Sequence, residues 1–553
     1  MQFGQKDMHI QGPQISQFNN IAPNPIPRSA FKRDFTRRTT FNQDYLVPVF
    51  LDEILPGDDV HLKMTSFTRM ATPIKPLMDN LYLETFWFFI PNRIVWDNWE
   101  KFQGQRTNPG DSVAYTVPKL NMTGKKFTVE SIYDYFGLPI EVTSIDGISC
   151  LFNRAYDLIW NEWFRDESLQ NSLTIATGDG PDNPDNYTLR KRNKRKDYFT
   201  SALPWPQKGD PVTIALGGNI PVTILGKVPT TYAIPQTSGA KIKLASHGGG
   251  IDRFITNNGT DAYLTFPSVP GGPADYAFGS ESGLMLSGGQ IAATLQAQAD
   301  ASSLSAVSIN AIRQAALYQQ ILELDARGGT RYVESIYSRF GVVSPDFRLQ
   351  RPELIGQGHS RINVYAVPQT APSTTESPQG NLAAFGTDVS YHGCRYSATE
   401  HGMIIGLANV RADLTYQQGV PRMFSRQTRL DFYEPLLNGL GEQAITNKEI
   451  FAQGTGMDVG TFGYQERFAE YRFKNSEVTG KFRSTAPQPL DIWHLGQKFA
   501  ALPGLNSSFI TEAVPMARVL AVPSEPSFLM DAHFNYNHVR PMPIRSNPGI
   551  TRL

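Results

Sequence analysis

The chain has 553 residues with 51 basic and 51 acidic side chains, so its formal charge is zero and no global field draws it to nucleic acid or membrane. Charged residues make up only 18%, while 46 glycines and 39 prolines suit turns and long loops better than a helical bundle. Two cysteines, Cys150 and Cys394, exclude a disulfide framework, and no run of 18 apolar residues reads as a transmembrane helix.

Residues 1–44 read as a polar, proline-punctuated arm that carries the stretch RSAFKRDFTRR. There Arg28, Lys32, Arg33, Arg37 and Arg38 stand against one acid, Asp34, with Phe31 and Phe35 between them. Cations meet phosphates and rings stack on bases, so the stretch suits a single-stranded nucleic acid. A solvated arm whose phenyl rings tuck into the core is the alternative.

Strand patterns follow. Residues 45–51 form the first, and the turn Pro56-Gly57-Asp58-Asp59 folds 60–68 back onto it. In that second segment Val60, Leu62 and Met64 alternate with His61, Lys63 and Thr65, the pattern of a half-buried strand. The stretch NLYLETFWFFIP, 80–91, is apolar on both faces from Phe86 to Ile90, so it requires cover on both sides.

Two helices come next. Residues 92–105 carry Val95, Trp96, Trp99 and Phe102, and 149–167 place Leu151, Ala155, Leu158, Ile159 and Trp163 on one side with Ser149 as N-cap. Asp179, Asp182 and Asp185 are spaced by threes, unlike a calcium loop, and read as turn residues. The densest basic run follows: Arg190, Lys191, Arg192, Lys194, Arg195 and Lys196, either a second nucleic-acid site or a solvated loop.

Residues 209–300 change texture, with ten charged side chains in 92 and many Gly and Asn turns. This reads as a β-rich insertion into the main domain, and a long insertion with structure of its own is usually functional. The organisation is thus an arm at 1–44, a first part at 45–209, an insertion at 210–300 and the remainder at 301–553. A helix is expected at 303–327, and further strands at 361–367, 403–410, 468–474, 518–522 and 528–539.

No P-loop, GxGxxG, GxSxG or HExxH is present, and Glu400-His401 has no nucleophile at a useful spacing. His392 and His401 near Cys394 are too few for a zinc site. The reading is therefore non-enzymatic, with no metal or cofactor. Aromatic content alone also fits a carbohydrate-binding or carbohydrate-processing β-sandwich.

Longer motifs say more. The segments at 31–70, 80–104 (NLYLETFWFFIPNRIVWDNWEKFQG), 156–170, 197–209, 342–356, 399–426, 462–484 and 539–549 (VRPMPIRSNPG) together resemble the major capsid protein of the gokushoviruses, single-stranded DNA phages of the microvirus family. The resemblance implies an all-β, eight-stranded antiparallel jelly roll with large loop insertions and a few helices. It implies a T=1 icosahedral virion of bacteriophage type, assembled in the host bacterial cytoplasm around single-stranded DNA. Within this viral resemblance, a minor virion structural protein is the other alternative. Implied partners are other copies of the chain, a small basic DNA-packaging protein, an internal scaffolding protein, a minor pilot protein and a host surface receptor. In the family a variable insertion protrudes toward the host, so Gly248, Gly249, Gly250, Asn257, Asn258, Tyr263, Gly271 and Gly272 are the host-attachment candidates here. Jelly-roll topology places the last strand between the first and third. With the strands as read above, 528–539 should pair with 45–51 on one edge and 82–90 on the other.

Overall fold

A computed structural model describes residues 27–210, 212, 309–375 and 378–545, together with five short strands between 222 and 299. The fold divides into two compact units, Val212–Tyr318 and the rest of the chain. The larger unit is built on β1 (Ser29–Lys32), β2 (Phe35–Phe41), β3 (Val47–Ile54), β4 (Asp59–Met70), β5 (Leu81–Pro91), β6 (Glu353–Pro368), β7 (Leu382–Ser397), β8 (Gly402–Ala412) and β9 (Phe528–Arg540).

These strands follow one antiparallel path, β1 and β2 beside β9, then β4, β7, β6, β5, β8 and β3. The path folds double at β6. Its later half, Asn363 to Pro368, pairs with β7, and its earlier half, Glu353 to Ile362, pairs with β5 through a bulge at Leu354/Gly356. Gly356 is required at this bend, because a Cβ there would lie 2.7 Å from the Gly393 carbonyl oxygen. The result is two leaves, β2–β9–β4–β7 and β3–β8–β5–β6, the arrangement of a jelly roll.

The expected rule for the last strand holds, but the expected partners do not. β9 lies between β2 and β4, with Phe534 opposite Phe35 on one side and Met64 on the other. It pairs with neither 45–51 nor 82–90. The segment read as an arm contains the roll's first strand, β2, so every later strand moves one place along. The 45–51 segment instead lies across the core from β9: the Phe50 ring is 5.8 Å from Phe534 and 5.4 Å from Tyr536.

Period-two alternation explains the interior. Phe528, Met530, Ala532, Phe534 and Tyr536 of β9 are buried, as are Val60, Leu62 and Met64 of β4, and they pack with Trp87 and Phe89 between the leaves. The helix Leu151–Ile159 and its flanking loops form a second core on the far side of β5 and β8, against Phe88, Ile90, Met403, Ile405 and Leu407. Both faces of that leaf are therefore covered, as the doubly apolar 80–91 stretch demands. Among the described residues, the other leaf is covered on one face only.

Several other expectations need correction. The 92–105 segment forms a 3-10 turn at Asn92–Ile94 and a single helical turn at Trp99–Phe102. The 149–167 helix is Leu151–Ile159 followed by a π turn, Trp160–Phe164, with the Ser149 hydroxyl accepting from the Leu151 amide at 3.3 Å. The third helix is Ile309–Arg327, and 303–308 lie outside the described residues. Neither 468–474 nor 518–522 is a strand: 3-10 turns occupy Ala469–Tyr471 and Met516–Arg518.

Candidate nucleic-acid interface

The first basic stretch is divided by strand geometry. β1 and β2 run along the edge of β9, so alternate side chains point to opposite sides. Arg33, in the link between them, grips both oxygens of Asp52 at 2.5 and 3.2 Å and lies 5.1 Å over the Tyr536 ring. Arg37 donates to the Tyr135 carbonyl, and burial lowers its guanidinium from the ordinary value. Arg28 donates to the Gly57 carbonyl at 2.5 Å. Lys32 and Arg38 remain exposed, with loose ion pairs to Asp34 at 3.2 Å and Asp531 at 3.7 Å.

The second stretch is drawn inward. Arg190 forms a two-pronged pair with Asp157 at 2.9 and 3.0 Å, and the Lys191 amine sits 5.1 Å over Tyr45. Arg192, Arg195 and Arg411 all converge on Glu84 of β5, the last two at 2.9 and 3.0 Å. Burial pushes the Glu84 carboxyl up, yet Arg192 and Arg411 beside it, with hydrogen bonds from Arg192 and Arg195, bring it down to about 2. Lys194 is buried against Phe509 and donates to Gln497 at 3.0 Å, and burial lowers its amine to about 8. Lys196 pairs with Asp166. This run braces a strand, a helix and three loops against one another.

The aspartates upstream behave similarly. Asp182, expected as a turn residue, is buried and takes both prongs of the fully buried Arg154 at 2.8 Å. Glu400 pairs with Arg93 at 2.6 Å, and His401 meets the Trp99 ring edge-on. Among the described residues no group of three His, Cys, Asp or Glu side chains is placed to hold a metal ion. The host-attachment candidates Gly248, Gly249, Gly250, Asn257, Asn258, Tyr263, Gly271 and Gly272 lie outside the described residues.

What gathers cations and rings on one surface is the uncovered leaf. Its register sets side chains in rows that cross four strands. Thr36, His533, Thr65 and Tyr391 form one row, and Arg38, Asp531, Phe67 and Val389 the next. Leu529, Arg69 and Thr387 form a third; Asn535 with Lys63, and Asn537 with His61 and Arg395, complete the face. Tyr391 is 76% exposed and Val389 57%. The Arg69 guanidinium lies 5.0 Å over the Phe67 ring, and the half-exposed rings of Tyr365 and Phe385 extend the face. Arg38, Lys63, Arg69 and Arg395 stand here with Lys32 at the edge; the strands' own acids on this side are Asp531 and, at one end, Asp59.

Sequence reading misses this face because its cations are spread over several strands, of which the one carrying Arg395 lies more than three hundred residues from the rest. The signal is present in 60–70 alone: the parity that buries Leu62 and Met64 sends Lys63, Phe67 and Arg69 outward.

Two leaves in this order, with most of the remaining chain in the connections between strands, form a jelly roll, the class of fold many viral shell proteins use. Residues 19–550 match the family described as Capsid protein (F protein), and the chain belongs to that family as a major capsid protein of the gokushovirus group of microviruses. It is similar to the capsid protein VP1 of Bdellovibrio phage phiMH2K, 45% identical over 531 residues that cover 93% of this chain and 94% of that one. Identity to capsid protein VP1 of Chlamydia phage 1 is 40% over 97% of this chain and 98% of that one. For capsid protein VP1 of Spiroplasma virus 4 it is 36% over 99% and 100%. A protein of this family is a virion component that assembles with copies of itself into a shell.

Proposed function

We propose that the protein encloses single-stranded DNA in a closed icosahedral shell and meets that DNA with the uncovered leaf. One observation carries the reading: the rows of cations and exposed rings across β2, β9, β4 and β7. A chain of zero net charge cannot hold a polyanion by its overall field, so a local surface has to do so. Arg38, Lys63, Arg69 and Arg395 neutralise phosphates, while Tyr391 and Phe67 stack on bases. Of the first basic stretch, Lys32 and Arg38 take part directly, and Arg28, Arg33 and Arg37 hold the strand edge that presents them. The Arg190–Lys196 run is an internal brace in this reading.

Residues 210–300 form the outward insertion that meets the host receptor. The small basic packaging protein supplies the charge this shell lacks, the scaffolding and pilot proteins join during assembly, and assembly takes place in the host bacterial cytoplasm.

The test replaces Arg38, Lys63, Arg69 and Arg395 with Ser. Shells should still form, and the dependence of DNA retention on salt should flatten by about 3 in log–log slope, about 0.7 for each phosphate no longer neutralised. Tyr391→Ala should weaken retention by a further ~1–3 kcal/mol per stacked base. Shells that package the same DNA with unchanged salt dependence would overturn the assignment of this leaf. Removing 248–272 should leave assembly intact and abolish adsorption; failure to assemble would count against that division.

A further inference from the structure

A cavity of about 760 Å³ opens on the covered side of β5, walled by 163–168, 192–196, 201–203, 326–334 and Arg411. Its volume falls in the range of small-molecule sites. Arg165, Arg192, Arg195, Arg331, Arg411 and Lys196 all reach it, against Asp166, Glu167 and Glu334. Donors outnumber acceptors. Three guanidiniums, each with five N–H donors, converge on Glu84; Arg192 also donates to Asn409 and Arg195 to Asp413, and the buried Glu512 carboxyl lies near all three. The Nε atoms of Arg165 and Arg195 are buried with no hydrogen-bond partner among the described residues. A walled, donor-rich, cationic cavity is complementary to a compact multivalent anion.

The rings near this cavity are already occupied. Arg192 lies 4.7 Å over Phe86 and 5.7 Å from Phe164, and Arg351 covers Trp163 at 4.3 Å. Guanidiniums already lie over these rings, and the donors that crowd the cavity suit phosphate more than a base. Gln357, Ser168, Ser201 and Thr330 add neutral groups that can orient it.

We propose that this cavity is a phosphate site, taking pyrophosphate, a nucleoside polyphosphate or a backbone phosphate without regard to base. DNA-free shells of the full-length chain are titrated with inorganic pyrophosphate by calorimetry. Saturable binding is expected. Arg195→Gln removes a donor and should weaken it at least tenfold, whereas Glu167→Gln removes a facing negative charge and should tighten it severalfold. A purely structural role would not move the two variants in opposite directions. A (dT) oligonucleotide that competes identifies the occupant as a nucleic-acid phosphate; one that does not identifies a small phosphate, and both outcomes support the site. Because either variant could fail to assemble, hydrogen exchange is measured on unmodified shells as well, where pyrophosphate should slow exchange in 163–168 and 192–196. Absence of saturable binding, or binding without protection in those segments, would overturn the proposal.

Discussion

The two basic stretches carry similar numbers of cations, five and six, and meet opposite fates. Arg28 to Arg38 lies along a sheet edge, where the alternation of a strand divides five cations between internal anchors and an open face. Arg190 to Lys196 threads between layers, and Glu84, Asp157, Asp166 and Asp413 take its charges. Charge density along the chain therefore does not by itself locate an open, DNA-facing surface. What decides is whether distant carboxylates reach the cations first, which only the fold determines.

The contrast can be broken at its most expensive point. Glu84→Ala takes from Arg192, Arg195 and Arg411 the carboxylate all three share, leaving Asp413 to Arg195 alone, which should cost about 3–5 kcal/mol and prevent assembly. Denaturant unfolding of the purified chain measures it. A loss below about 1 kcal/mol would mean that the brace is not structural.

A pH titration is the next test. Burial pushes Asp44 up to about 8, helped by Glu512 and opposed by Lys191 and Lys194. Burial also pushes Glu512 up to about 7 against Arg411, Lys194, Arg192 and Arg195. A carboxyl whose folded value exceeds its unfolded one binds its proton more tightly in the fold. Its stabilisation is therefore complete below pH ~4 and is lost as pH rises through 7 and 8. Glu84 has the opposite sign, and its contribution is lost as pH falls from ~4.5 toward 2. Lys194, lowered to about 8, restores some stability above that pH. The thermal midpoint should peak on the acid side of neutrality, and Asp44→Asn should flatten its decline between pH ~4 and about 8.

The finest comparison lies within one strand. Arg37→Ser removes a largely buried donor from the Tyr135 carbonyl and should cost about 1–3 kcal/mol. Arg38→Ser, one residue on, breaks only an exposed pair with Asp531 and should stay within about 0.5 kcal/mol while lowering DNA retention. Equal effects on stability would remove the distinction between the strand's two faces.

Much of the architecture is legible wherever one period dominates. β4, β5, β8 and β9 announce themselves by alternation or by doubly apolar runs, and the topology rule for the last strand follows from the motifs. β2 reads as charge, although Phe35, Arg37, Thr39 and Phe41 share one face. β7 escapes sequence reading because its inward positions are partly polar. Ser390 bonds Ser66 at 2.5 Å, and Asp388 accepts from Ser360 at 2.8 Å, so polar pairs inside the core erase the apolar period. At 468–474 the aromatic residues imitate a strand, yet Phe468 sits at φ 64° and buries its ring from a turn. The brace at 190–196 is beyond local reading, since Glu84 and Asp413 lie more than a hundred residues away.

The position of β9 also has a consequence for synthesis. Among the described strands it is the last to be synthesised, yet it sits inside a leaf, flanked by β2 and β4. Until it emerges, β4 exposes a bare edge and Phe35, Phe50 and Trp87 lack the ring of Phe534 that joins them. A chain cut short by early termination or a protease cannot close its core, however complete its other surfaces are. Only finished polypeptides can take a place among their copies, so the order of translation itself screens what is built.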